Sequence, residues 1–242
     1  FDFGGYLPAC HPSRPEPIIW IDTVASDGEH LNFTYFHEIT HHLIREDSDL
    51  YSFLNEIANR NDDLDLLEER FANIGAAEFL IPSNEVARVL NDKGFSISLL
   101  PELDELFSAS KPAIAIQLAQ CASHQCFVVV CEFGVPPENN KLQGQFIEAA
   151  TVNSPRLYIR YSSNSPSQEK YSIARFVSVP QNHLLSAAFL SQQYVKGKDR
   201  IPFKSGHEWV VDCEALYYKG KVYAVFNTSP PAIISSLQPR LF

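Results

Sequence analysis

"YFHEITHHLIRED" (residues 35–47) governs the reading of the whole chain. It contains His37-Glu38-Ile39-Thr40-His41, two histidines four apart with a glutamate directly after the first. Leu31, Tyr35, Ile39 and Leu43 recur every four residues around it, which predicts a helix from Glu29 to Arg45, with Asp27 as its cap. Positions i and i+4 of a helix share a face, so both imidazoles can reach one ion. Glu38 is turned about 100° from His37, which brings its carboxylate to a water on that ion rather than to the ion itself. Zn²⁺ accepts imidazole nitrogen, and catalytic zinc sites keep one position open for water. His37 and His41 are therefore expected as metal ligands and Glu38 as the general base. His42 points elsewhere on the helix and is expected to be a bystander.

Two histidines need a third protein ligand, and a glutamate on a following helix is the usual source. "DLDLLEERFANIGAAEFL" (63–80) reads as such a helix, ended by Pro82. Glu69 shares a side with Asn73, Ala76, Ala77 and Leu80, which is small or apolar and suited to close packing. Glu68 lies with Asp65 on a more polar side. This favours Glu69, although helix phase by itself leaves both glutamates open.

The rest of the chain changes character midway. "PIIWIDT" (17–23) reads as a short strand, and part of the acidic connection 46–63 reads as helix. Residues 83–122 read as three short helices broken by "KGFS", Pro101 and Pro112. Beyond them "CFVVVCEF" (126–133), "FIEAATV" (146–152), "RLYIRYS" (156–162), "EWVVDCEALYY" (208–218) and "KVYAVFN" (221–227) read as strands. "NHLLSAAFLSQ" (182–192) reads as a helix between them, "YYKGKVY" as a hairpin turning at Lys219-Gly220, and "SSNSPSQ" (162–168) as a mobile polar loop. The expected fold class is α+β.

Composition narrows the function classes. Of 242 residues, 45% are hydrophobic and 20% charged, the profile of an ordinary globular protein. No run approaches 18 apolar residues, which excludes a membrane-spanning helix, and the opening residues lack the basic-then-apolar layout of a signal peptide. The five cysteines form no CxxC pair and read as buried thiols of a reducing, cytoplasmic compartment. Phe1 and the absence of any Met predict that the natural chain begins upstream. Residues 1–140 hold 7 Lys+Arg against 23 Asp+Glu, a balance of −16, whereas residues 141–242 hold 12 against 6, a balance of +6. An acidic surface speeds encounter with a basic partner, so the first half suits a basic protein substrate.

"FTYFHEITHHL" (33–43) followed by "EERFANIGAAEFLIP" (68–82) resembles the ImmA/IrrE family of metallopeptidases. The family's second motif, a glutamate with Asn four residues on and then an alanine-rich stretch ending in Leu-x-Pro, reads here as Glu69, Asn73, Ala76-Ala77 and Leu80-Ile81-Pro82. The match again selects Glu69. "RLYIRYSSNS" (156–165) and "KDRIPFKSGHEWVVDC" (198–213) are similar to the C-terminal region of the family's radiation-response members, so the resemblance covers nearly the whole chain. It implies a zinc-metallopeptidase domain over 1–82 lacking its N-terminal part, a helix-turn-helix-like helical domain over 83–125 and a GAF-like sensor domain over 126–242. It also implies a Zn²⁺ cofactor, with Mn²⁺ as the alternative. The implied activity is site-specific cleavage of a helix-turn-helix repressor of the XRE/DdrO type, which induces a DNA-damage and radiation response.

The basic half suggests a sensor. Arg156, Tyr158 and Arg160 alternate and are expected on one exposed strand face, with Leu157 and Ile159 turned to the core. Arg with an aromatic on an open sheet offers phosphate pairing and base stacking to single-stranded DNA. Lys196, Lys198, Arg200 and Lys204 form a second basic cluster. Two other classes compete with the protease: a non-proteolytic, metal-containing transcription regulator binding DNA through 83–122, and a small-molecule sensor. Glu38 argues against the first, since a purely structural metal site has no use for a general base.

Overall fold

Helix α1 (Gly28–Glu46) carries the histidine pair, with Glu29 in its first turn and Arg45 in its last, each the charge that the helix dipole favours there. The computed structural model of the chain describes residues 5–6, 19–21, 28–61, 63–137, 154–168, 170–205 and 208–228. They fall into two compact units, residues 1–95 with 99–121, and residues 96–98 with 122–242.

In the first unit, β1 (Gly5–Tyr6) and β2 (Trp20–Ile21) form a two-residue antiparallel pair beside α1. Only Asp47 separates α1 from α2 (Ser48–Asn61), and its carboxylate accepts from the amides of Asp49 and Leu50 at 3.1 and 2.9 Å. That cap turns most of the acidic connection into a helix. Asp63 caps α3 (Leu64–Leu80) in the same way, and Pro82 forces the chain out of helix at Ile81. Ile44, Leu54 and Leu67 form the small core shared by α1, α2 and α3.

The α1–α3 contact is unusually close at one point. A Cβ on Gly75 would lie 2.6 Å from Thr40 Oγ1, so only glycine allows the approach. Ala72 and Ala76, both fully buried, keep the same side of α3 small. Three further helices follow, α4 (Ser83–Lys93), α5 (Leu100–Leu106) and α6 (Lys111–Gln120). Pro101 and Pro112 do break the run, by occupying the first turns of α5 and α6, where a missing N–H costs nothing.

The second unit is an antiparallel sheet of five strands, β3 (Cys126–Gly134), β4 (Arg156–Asn164), β5 (Tyr194–Arg200), β6 (Val210–Tyr218) and β7 (Lys221–Asn227), in the order β4-β3-β7-β6-β5. Helix α7 (Leu184–Ser191) lies on one face, where Leu185 and Ala188 pack with Phe127, Val129, Cys213, Ala215 and Phe226. Lys219 and Gly220 both have positive φ, 44° and 86°, and close the β6–β7 hairpin.

Two readings change here. β5 was not expected as a strand; its outward residues are Tyr194 and then three cations, and its inward ones include Gly197, so no apolar run marks it. Gly197 matters to packing, since a Cβ there would meet Leu184 at 3.3 Å. Residues 162–168 are tied down rather than loose. Ser162–Asn164 complete β4, Ser165 is fully buried, and its Oγ accepts from the Cys126 amide at 3.1 Å. The expected strand 146–152 lies outside the described residues, as does Cys10.

Candidate metal centre

One turn of α1 separates His37 from His41, and both rings are buried, at 2% and 7% exposure. Their Nε2 atoms lie 3.1 Å apart. Glu69 reaches in from α3, with one oxygen 3.4 Å from His37 Nε2 and the other 3.3 Å from His41 Nε2. One ligand atom from each of the three groups lies within 4.8 Å of the other two. Ligands bound tetrahedrally at about 2.0–2.1 Å stand about 3.3–3.4 Å from one another, close to the separation of the two imidazole nitrogens and to the approach of a Glu69 oxygen to each of them. Two neutral imidazoles and a carboxylate are also the donor set that such a cation takes. This is the one His/Cys/Asp/Glu cluster of three with metal-ligand spacing among the described residues.

The electrostatics of the pair agree with this geometry. Burial pushes the His37 pKa down and the nearby His41 pushes it further, against the opposing pull of Glu69 and of a side-chain hydrogen bond with Asn73. A lowered pKa keeps the ring neutral and its lone pair available. Glu38 is buried as well, at 7% exposure. Burial raises its pKa; His41 and Arg45 oppose the rise and Glu69 adds to it. A carboxylate raised in this way is a stronger base.

The close-packed side of α3 is not the side that sequence reasoning chose. Leu67, Glu68, Ala72 and Ala76 are its buried residues, whereas the Glu69 side chain is 49% exposed. Glu69 reaches the imidazoles from the half-exposed margin of the helix contact. Glu68 lies behind the pair. Its Oε2 accepts from Arg45 Nη2 at 3.1 Å and stands 3.7 Å from His41 Nδ1. The part played by Glu68 and Arg45 was missed, although Arg45 continues the i, i+4, i+8 ladder of His37 and His41.

The basic residues of the second unit are placed differently from expectation. Tyr158 is only 6% exposed and donates its hydroxyl proton to Glu132 Oε2 at 3.3 Å, so its ring offers no open face to a base. Residues 176–179 run along β4 and bond to it through Ile159 N–Val177 O, Phe176 N–Ile159 O and Val179 N–Leu157 O, which covers this strand. Arg160 lies over Tyr161 and Phe176 and 3.8 Å from Glu132, and Arg156 has its Nε buried. On β5, Lys196, Lys198 and Arg200 do point outward together, but they pair with Glu214, Asp212 and Glu208 respectively. Lys204 is exposed in the turn that follows.

Residues 6–119 match the IrrE N-terminal-like domain of the M78 peptidases. The chain is 26% identical over 216 residues to the radiation response metalloprotease IrrE of Deinococcus radiodurans, covering 89% of this chain and 65% of that protein. It is 27% identical over 198 residues to the protein of the same name from Deinococcus deserti, covering 82% of this chain and 66% of that protein. The chain thus spans slightly less than two thirds of the length of these relatives. A solved structure described as a Mycobacterium tuberculosis transcriptional regulator shares the fold at a TM-score of 0.51 and 12% identity, over 93% of this chain and 63% of that one.

Proposed function

Because the chain belongs to the ImmA/IrrE family of metallopeptidases, we propose that it is a zinc metalloprotease that inactivates a helix-turn-helix repressor of the XRE/DdrO type and so switches on a DNA-damage or radiation response. The observation that carries this reading is the cluster of His37, His41 and Glu69 with the buried Glu38 beside it. Those three residues would hold the ion, Zn²⁺ with Mn²⁺ as the alternative. When bound, the ion polarises a water and the scissile carbonyl for hydrolysis. Glu38 receives the proton of the attacking water on a carboxylate oxygen and returns it to the nitrogen of the departing amine. Burial of His37 and His41 keeps their orientation fixed, and the half-exposed Glu69 leaves the approach to the site open.

The acidic first half, −16 over residues 1–140, supports a basic substrate such as a DNA-binding repressor. We read residues 83–125 as helix-turn-helix-like and 126–242 as a GAF-like sensor; α4–α6 and the five-stranded sheet with α7 support these readings. No helix among the described residues is long and apolar enough to cross a membrane, and Cys121, Cys126, Cys131 and Cys213 are free thiols, which suits the cytoplasm.

The test is incubation of the protein and zinc with the helix-turn-helix repressor encoded in the same genome, beside a Glu38→Gln control, with fragment masses as the readout. A single cut that disappears in the control is expected. A repressor left intact, with and without added single-stranded DNA, overturns the protease reading in favour of a non-proteolytic regulator or a small-molecule sensor.

Activation by single-stranded DNA is a second element of the proposal, and the exposed cations of β5 and Lys204 support it rather than β4. Because each β5 cation has an acidic neighbour, binding is expected to be weak and steeply salt-dependent. A gel shift of the full chain with an oligonucleotide at low salt tests this, and the absence of any shift removes DNA from the account.

A further inference from the structure

Glu68 takes no part in the chemistry above, yet it is a carboxylate only 5% exposed on the packed side of α3. A buried carboxylate needs a cation and hydrogen-bond donors to compensate its lost hydration. Arg45 supplies the cation at 3.1 Å. The other group nearby is His41 Nδ1, 3.7 Å from the same Oε2. That nitrogen is itself buried and makes no hydrogen bond. Glu68 Oε2 therefore stands between a guanidinium and an imidazole edge that follow one another by one turn of α1.

The consequence concerns the tautomer of His41. A neutral imidazole that offers Nε2 to a cation carries its proton on Nδ1, and that proton needs an acceptor. Glu68 and Glu69 are consecutive, about 100° apart around α3, so they approach His41 from its two nitrogen edges. Glu69 meets Nε2 and Glu68 faces Nδ1. The side chain of Asn73, one turn beyond Glu69 on α3, has a hydrogen bond with the His37 side chain.

We propose that Glu68, held in place by Arg45, is a positioning residue that fixes His41 as the Nδ1–H tautomer and aims its Nε2 at the metal. The proposal rests on the metal-site reading of His37, His41 and Glu69.

It is tested on the full chain with Glu68→Leu, which fills similar space without an acceptor, and Glu68→Gln, which keeps an acceptor without the charge. Zinc affinity is measured by competition with a chromophoric chelator, melting temperature is followed in parallel, and imidazole proton positions are read from long-range ¹H–¹⁵N spectra. Loss of an outer partner typically weakens metal binding by about 10–100-fold; Glu68→Gln is expected at the low end and Glu68→Leu at the high end. The metal-free wild type should show His41 protonated on Nδ1, and the Leu variant should show a mixture of tautomers at an unreduced melting temperature. Wild-type zinc affinity in either variant overturns the proposal, and so does a wild-type His41 protonated on Nε2. If the Leu variant does not fold, the Gln variant decides. A wild-type protein that takes up no zinc overturns the metal reading itself, a result distinct from the first two.

Discussion

Glu38 is buried beside two imidazoles, and burial raises its pKa more than His41 and Arg45 lower it. Its replacement by Gln keeps shape and burial and removes only the base. We expect Glu38→Gln to lower peptide cleavage by about 10²–10⁴-fold, with zinc stoichiometry by elemental analysis unchanged. His41→Ala should instead lose the zinc, because two ligands remain where three are needed. Loss of zinc from Glu38→Gln, or its retention by His41→Ala, would show that the roles are assigned wrongly. At this scale the placing of His37 and His41 on one helix face was legible from spacing alone, and the structure brings their Nε2 atoms to 3.1 Å. The approach of Glu69 was only half legible: it does reach the two imidazoles from the following helix, but the packing reason offered for it belongs to Glu68, Ala72 and Ala76. A helical wheel identifies which residues share a side, not which side meets a neighbour.

At the scale of elements, the site depends on how closely α3 approaches α1. Gly75 permits that approach at Thr40. Alanine is favoured over glycine within a helix by about 1 kcal/mol, so Gly75→Ala would stabilise an isolated α3. In the folded protein the new methyl meets Thr40, and overpacking of this kind costs about 1–3 kcal/mol. We expect Gly75→Ala to lower the urea midpoint, and a Thr40→Ala/Gly75→Ala double variant to recover part of the loss, since Thr40 Cγ2 and Oγ1, the two nearest atoms, are removed while its Cβ stays 3.0 Å away. Strictly additive losses would separate Gly75 from Thr40. The helices and most strands were readable from their periodicities, and the hairpin from Lys219-Gly220. β5 escaped because one of its faces holds Tyr194 and three cations and the other holds Gly197, so the usual alternation of polar and apolar residues is weak.

For the molecule as a whole, the thiols of the sheet give a pH signature. Burial pushes the Cys126 thiol up to about 12, and burial likewise raises Cys131 and Cys213. These thiols ionise in the unfolded chain near their ordinary pKa of 9.0 but not in the folded one. Between those values the unfolded state binds fewer protons, so stability declines as pH rises from about 9 towards 12 and is fully present below about 9. Urea midpoints at pH 8, 9.5 and 11 should fall in that order, and a Cys126→Val/Cys131→Val/Cys213→Val variant should fall less steeply. An identical slope in the variant would assign the alkaline loss to other groups. The same three thiols should resist iodoacetamide in the native protein at pH 8, because the thiolate is the reactive form.

The sequence by itself determined the periodic elements and the spacing of His37, Glu38 and His41, because both are properties of a short stretch of chain. It also marked the change from a helical first half to a strand-rich second half, and the charge imbalance between them. Only the tertiary structure decided which face of each element is covered. It placed Glu69 at the half-exposed margin of the α1–α3 contact and Glu68 behind His41, next to Arg45. It also laid residues 176–179 along β4, turning the expected exposed Tyr158 into a buried donor to Glu132, and paired the β5 cations with Glu214, Asp212 and Glu208. In each case the deciding partner comes from a segment distant in sequence, and burial and ion pairing are set by such partners rather than by neighbours along the chain.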